Sequence, residues 1–300
     1  MNISWNKKYE VTNINEIYGN QHIVNNLKNM TNSNILKHMI LYGPPGTGKS
    51  SSIHCIKNSF NNYDILHLNA STNRSANIIN KNIQYYLQLK GNNKLIILEE
   101  FDNIMIGSQH AIVSLIDKFP SSIFIFTCNN IDKIIDSIKD RSLLLHFNKL
   151  KKKIIEKKLK EIIRYEHIEY TDKGLNELLK CSAGDMRKAI NYLQVIFYGF
   201  NKLCLKSVLK LTDVSLYNKC YKMLKHCITK NNNKVFSILQ LLIGAGYSTE
   251  DIIVNLYNNC FDNTEYRSKF FDNVSETYIN VLNGSNKSLQ LYGLISRLLI

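Results

Sequence analysis

The sequence predicts an α/β domain built on a parallel sheet, followed by a small helical domain and a second, all-α domain. Three observations carry this. Short continuous apolar runs alternate with stretches of helical spacing through the first half of the chain. A glycine-rich loop, GPPGTGKS, follows the first of those runs. Beyond Leu150 apolar residues recur every three or four positions. Unbroken apolar runs mark strands buried on both faces, as in a parallel sheet covered by crossover helices.

The first run is Met39 to Tyr42 (MILY), and helical spacing resumes after the loop through Ile53, Ile56 and Phe60. Further runs cover Asp64 to Leu68, Leu95 to Leu98 and Ile123 to Thr127. Helical stretches from Ile78 to Leu89 and Ala111 to Phe119 separate them. Together they define a nucleotide-binding α/β domain over residues 1–148. The stretch KLKKKIIEKKLKEIIRYEHIEY then reads as one amphipathic helix with lysines on its solvated face. A second helix is expected from Asp172 to Lys180, and a third to about Phe197 with Asp185 as its N-cap. This gives a small helical domain over 149–204 and a helical domain over 205–300.

Composition narrows the function class. Thirty-eight basic against 24 acidic residues give a formal charge of +14, which favours a polyanionic partner such as nucleic acid. A lysine-rich solvated surface would give the same balance. The apolar runs fall short of the roughly 20 residues needed to span a bilayer, so no membrane partner is expected. The opening MNISWNKKYE lacks the apolar core of a secretory signal, so an intracellular protein with reduced thiols is expected. No two of its cysteines have C-x-x-C spacing, and the histidines (His22, His54, His67 and His110 among them) show no ligand spacing. Core or surface roles are expected for these histidines.

GPPGTGKS fits G-x-x-x-x-G-K-[ST] with Gly43, Gly48, Lys49 and Ser50, set between a strand and a helix. Glycines let backbone N–H groups turn inward around a phosphate, and the helix N-terminus adds its positive end. The loop Gly43, Pro44, Pro45, Gly46, Thr47, Gly48, with Lys49, Ser50 and Ser51 after it, is therefore the expected nucleotide-phosphate cradle. Lys49 is assigned to the β- and γ-phosphates and the Ser50 hydroxyl to Mg2+. The run KLIILEEFD, Lys94 to Asp102, supplies the matching carboxylates. Its strand is expected beside the loop strand, with Glu99 facing the magnesium shell and Glu100 polarising the attacking water.

On these motifs the chain resembles the small subunits of the clamp loader replication factor C, a branch of the AAA+ P-loop ATPases. The resemblance runs nearly end to end. SWNKKYE with INEIYGNQHIVNNL looks like the family's adenine-side segment, which implies that Tyr9 contacts the nucleotide. LYGPPGTGKSSSIHCI matches its P-loop, and LNASTNRSANII resembles a stretch that usually reads Asn-Ala-Ser-Asp-Glu-Arg-Gly. TCNNIDKIIDSIKDRS resembles the sensor-1 strand and arginine-finger box, AGDMRKAINYLQ the sensor-2 helix of the lid, and GAGYSTEDII and SLQLYGLISRLL the oligomerising collar.

The resemblance implies residue roles. Asn129 corresponds to sensor 1 beside the γ-phosphate, Arg187 to sensor 2, and Arg141 to the finger that enters a neighbour's ATP site. It also implies partners. These are other subunits in a ring of five, a sliding clamp of the PCNA kind, and primer-template DNA held without regard to sequence. Arg74 and the segment Asn103 to Gln109 are the positions assigned to DNA. ATP binding would assemble the spiral that grips the clamp, and hydrolysis would release the clamp on DNA. The implied location is the nucleus or, alternatively, a cytoplasmic viral replication site. Departures from the family pattern are Glu99 for its usual Asp, Asp140 and Ser142 flanking Arg141, Glu10 and Val11 for Arg-Pro, and Thr72 to Ser75. Glu99 leaves open a second reading, an ATP-binding structural subunit with weak hydrolysis that supplies Arg141 in trans.

Overall fold

A computed structural model describes residues 4–60, 62–70, 76–89, 93–212 and 214–299. The chain divides into two compact units, Met1–Val208 and Leu209–Ile300.

The first unit is organised by a five-stranded parallel sheet. Its strands are β1 (Met39–Tyr42), β2 (Asp64–Asn69), β3 (Lys94–Glu99), β4 (Ile123–Cys128) and β5 (Leu143–His146), ordered β2-β3-β4-β1-β5. Alternation along each strand divides its side chains between the two faces. Met39, Leu41, Leu95, Ile97, Ile125 and Leu145 join one core with Ile23 and Leu27 of α2 (Gln21–Ser33) and Ile53 and Ile56 of α3 (Lys49–Ser59). Ile40, Ile96, Leu98, Phe124 and Phe126 join the other, with Ile83 of α4 (Ala76–Gln88) and Ile112 and Ile116 of α5 (Ile106–Lys118). Both faces of β1, β3 and β4 are covered, which explains why these strands read as unbroken apolar runs.

The strand order corrects one expectation. β3 does not adjoin the loop strand β1, because β4 lies between them and pairs with each in parallel. β4 is buried from Phe124 to Cys128, as befits a strand with a neighbour on either edge and a helical layer on either face. But β3 is buried as continuously, so burial along a strand does not show which of the two adjoins β1.

A short helix α6 (Asp136–Lys139) precedes β5, and α7 (Lys152–Tyr165), α8 (Asp172–Ser182) and α9 (Met186–Phe200) complete the unit's helices before α10. The expected single helix through Tyr170 ends early. Glu166 caps α7, His167 takes a left-handed backbone (φ 53°), and the Ile168 N–H donates to the Ile163 carbonyl at 3.0 Å. The turn buries Ile168 and frees Glu169–Tyr170 (β6) to pair with Lys202–Leu203 (β7). At the start of α9, the Asp185 carboxylate accepts from the Lys188 N–H at 3.0 Å, the expected N-cap.

The division between units falls within α10 (Leu205–Thr212). The second unit continues with α11 (Val214–Ile228), α12 (Asn232–Gly244), α13 (Thr249–Asp262), α14 (Thr264–Leu282) and α15 (Lys287–Leu299). One apolar core, including Leu239, Leu256, Val274 and Leu294, holds it together.

Candidate nucleotide site

The loop after β1 folds as it does because two of its glycines have no substitute. Gly43 has φ 138°, and a Cβ there would meet the Phe147 carbonyl oxygen at 2.1 Å. Gly46 has φ 66°, and a Cβ there would meet an Asp185 carboxylate oxygen at 1.7 Å. The Gly46 carbonyl accepts from the Met186 N–H at 3.0 Å, so the loop is bonded to the first residue of α9. Thr47 closes the turn from within by donating its hydroxyl to the Pro44 carbonyl at 2.8 Å.

Lys49 opens α3 and turns back over the loop. Its ammonium donates to the Gly43 and Pro44 carbonyls at 2.6 and 2.8 Å and to Asn129 Oδ1 at 3.0 Å. Burial holds its pKa below the ordinary lysine value. Asn129 follows β4, and its backbone N–H, with that of Asn130, donates to Asp102 Oδ2 at 3.2 Å. Asp102 thereby ties the end of β4 to the turn after β3. Its other oxygen, Oδ1, is buried without a hydrogen-bond partner.

The two neighbouring acids have different surroundings. Glu99 ends β3; its Oε2 accepts from the Ser50 hydroxyl at 2.9 Å and its Oε1 meets His67 Nε2 at 2.8 Å. The His67 hydrogen bond is the main cause that holds the Glu99 carboxyl below the usual glutamate range. Glu100 has a left-handed backbone (φ 54°) that redirects the chain out of the strand. Its N–H donates to Thr127 Oγ1 at 3.2 Å, and one carboxylate oxygen accepts from Asn103 at 3.4 Å.

A cleft of about 530 Å³ brings most of the sequence-identified residues together. Its lining includes Tyr9, Pro45 to Ser51, Glu99, Glu100, Asn129 and Arg187. Such a volume suits a nucleotide-sized ligand. The loop geometry fits phosphate, and the oxygen donors of Ser50 and Glu99 fit a small hard cation of the magnesium type. Tyr9 reaches the cleft from the segment after α1 (Trp5–Lys8). Its hydroxyl donates to Glu166 Oε1, which also accepts from Lys8 at 2.6 Å. Trp5 packs on Phe197 of α9 with ring centroids 5.4 Å apart, so this segment is anchored to the helices that follow the sheet.

Arg141 does not line the cleft. Its guanidinium forks onto the Asp117 carboxylate with bonds of 3.0 and 3.1 Å and donates to the Ser137 carbonyl at 2.9 Å. Arg74 lies outside the described residues. The assignment of Asn103 to Gln109 to DNA needs correction at its far end. Gln109 is fully buried, donating to the Ile104 and Lys133 carbonyls and accepting from the Ile135 N–H, because it ties the start of α5 to the loop after β4.

Reasoning from sequence gave no site contact to Asp102 or Thr127, and named His67 and Asp185 only as a core or surface histidine and a helix N-cap. His67, expected to have a core or surface role, bonds directly to Glu99. The only local signal was a histidine two residues before the end of a strand that runs beside β3.

Two family models match the chain. The family of ATPases associated with various cellular activities (AAA) matches residues 39–152, and the replication factor C C-terminal domain matches 217–297. Replication factor C subunit 2 of Arabidopsis thaliana is 30% identical over 312 residues, covering 100% of this chain and 94% of its own. The chain belongs to the replication factor C small subunits. A replication factor C small subunit from Sulfolobus acidocaldarius is 28% identical, covering 99% of this chain and 95% of its own. The solved structure of RuvB from Thermotoga maritima, a Holliday junction branch migration motor, shares the fold. It has TM-score 0.56 and 17% identity over 73% of this chain and 79% of its own. Family membership brings with it an AAA+ ATPase fold and a clamp-loader role in DNA replication.

Proposed function

We propose that this small subunit binds ATP with Mg2+ in the cleft between the P-loop and α9 and hydrolyses it within an assembly of clamp-loader subunits. The observation that carries the reading is Lys49 meeting Asn129 while Ser50 meets Glu99, which gathers loop, strand end and helix start around one cleft. In this reading Lys49, Asn129 and Arg187 bind and orient the β- and γ-phosphates, and Tyr9 borders the base. Ser50 and Glu99 would hold the cation, which when bound neutralises phosphate charge. Glu100 receives the proton of the attacking water. Its turned-out backbone and the Thr127 bond to its N–H support that role by fixing where the side chain begins.

Arg141 acts in trans on a neighbour's nucleotide. Its position outside the chain's own cleft supports this, as does the Asp117 fork that presents it. Residues 1–148 form the nucleotide-binding domain, 149–204 the lid and 205–300 the collar. The partners are the other ring subunits, a PCNA-like sliding clamp and primer-template DNA gripped through its phosphates, with Arg74 among the contacts. The protein works in the nucleus or at a viral replication site.

Glu100→Gln tests the site. Turnover at this subunit's site in the reconstituted assembly should fall at least about 100-fold, the lower range for a general acid–base group, while nucleotide affinity holds. An unchanged assembly rate would instead make this chain an ATP-holding structural subunit.

A further inference from the structure

We infer that His67 is a positioning residue that holds Glu99 in place beside Ser50, and that the extra length of Glu99 exists to meet it. The inference rests on the reading of Ser50 and Glu99 as the cation side of the nucleotide site.

The contacts define a directed chain. Lys57 Nζ lies 3.3 Å from His67 Nδ1, and a lysine ammonium can only donate. His67 Nδ1 therefore accepts, and Nε2 carries the proton that is donated to Glu99 Oε1 at 2.8 Å. Ser50 donates to the other oxygen, Oε2, at 2.9 Å. Each carboxylate oxygen of Glu99 thus has its own donor, one from β2 and one from α3. The parallel register sets this up by pairing Asn69 with Glu99 and His67 with Ile97, so the imidazole lies along the path of the Glu99 side chain.

The length of residue 99 now has a physical account. An aspartate at this strand end is one methylene shorter and could not keep both bonds without moving the backbone of β3, which is hydrogen-bonded to strands on both sides. The glutamate spans the gap between Ser50 and His67. Unrestrained, its additional torsion would let the carboxylate swing away from Ser50. The imidazole removes that freedom, and Lys57 fixes the imidazole. Groups that orient a cation ligand from behind in this way typically contribute a factor of about 10 to 100 in metal affinity.

The test is a double-mutant cycle on the full chain, read out by binding of a fluorescent ATP analogue at a series of Mg2+ concentrations. His67→Ala should raise the Mg2+ concentration at half-maximal binding about 10-fold or more. His67→Gln, which keeps a donor at similar reach, should recover most of that loss. In a Glu99→Asp background His67→Ala should change the midpoint less than about twofold, because the shorter acid no longer meets the imidazole. A His67→Ala midpoint equal to wild type would overturn the proposal. So would an equal penalty in both backgrounds, or a glutamine variant no better than alanine. If wild-type binding proved independent of Mg2+, the assignment of Ser50 and Glu99 would fall, and the role of His67 with it. A Mg2+-dependent wild type with a silent His67→Ala would remove His67 alone.

Discussion

The two compact units bury different chemistry. In the first, polar side chains are drawn into the interior wherever a loop must be held: Thr47, Ser52, Gln109 and Thr127 are all buried and hydrogen-bonded, and the Lys94 ammonium caps the carbonyls of Tyr86 and Leu87 at the end of α4. The second unit is held mainly by apolar side chains; its buried polar residues include Asn259 and Thr277, which bond to backbone carbonyls. A buried polar group must find its partners in one geometry, whereas apolar contacts tolerate rearrangement. The first unit is therefore built to fix positions, and the second to supply a stable helical body.

Three substitutions or measurements would break or sharpen that contrast. The largest effect is expected from Arg141→Ala. Its side chain is 40% exposed and paired with the 55% exposed Asp117 side chain, so the chain's own stability should change by less than about 1 kcal/mol. ATP turnover of the assembly at the neighbouring site should fall by about 10³-fold, the lower range for an arginine finger. An intermediate effect is expected from Leu256→Ala at the centre of the second unit's core. It should destabilise that unit by about 2–5 kcal/mol in denaturant titration and leave ATP affinity unaltered. A matching loss of ATP affinity would show that the units are not separable in function.

The smallest effect is on thiol reactivity. Burial raises the pKa values of Cys220 and Cys260 to about 12 and that of Cys227 to about 11, whereas hydrogen bonds from Ser207 lower that of Cys204. Only the thiolate reacts, so alkylation near pH 8 should reach Cys204 well before the three cysteines of the second unit. Mass mapping of a brief iodoacetamide treatment reads this directly.

Which features could be read in the sequence follows from the same contrast. The runs around Ile40, Ile96 and Ile125 announced strands because both faces are buried. Leu143 and Leu144 of β5 are exposed, and β5 lies at the sheet edge, so its short LLLH did not stand out. The placing of β4 between β3 and β1 is a matter of neighbours, which periodicity along one strand does not encode. At the site, Lys49, Ser50 and Glu99 fall within motifs whose spacing is local. His67 and Asp102 act across strands, and only the folded register brings them to their partners. Glu99 was legible as a departure from the family pattern; the reason for its length was not, because that reason stands on another strand.

The bond from the Met186 N–H to the Gly46 carbonyl has an evolutionary consequence. It joins the phosphate loop to the helix carrying Arg187 through main-chain atoms alone, so substitution at Met186, proline apart, leaves the link in place. Drift in α9 can therefore proceed while the loop still senses where that helix begins. The vulnerable partner is Gly46, where any side chain would collide with Asp185. Selection on this connection should fall on the absence of one methyl group at Gly46 and leave the side chain at Met186 free to vary.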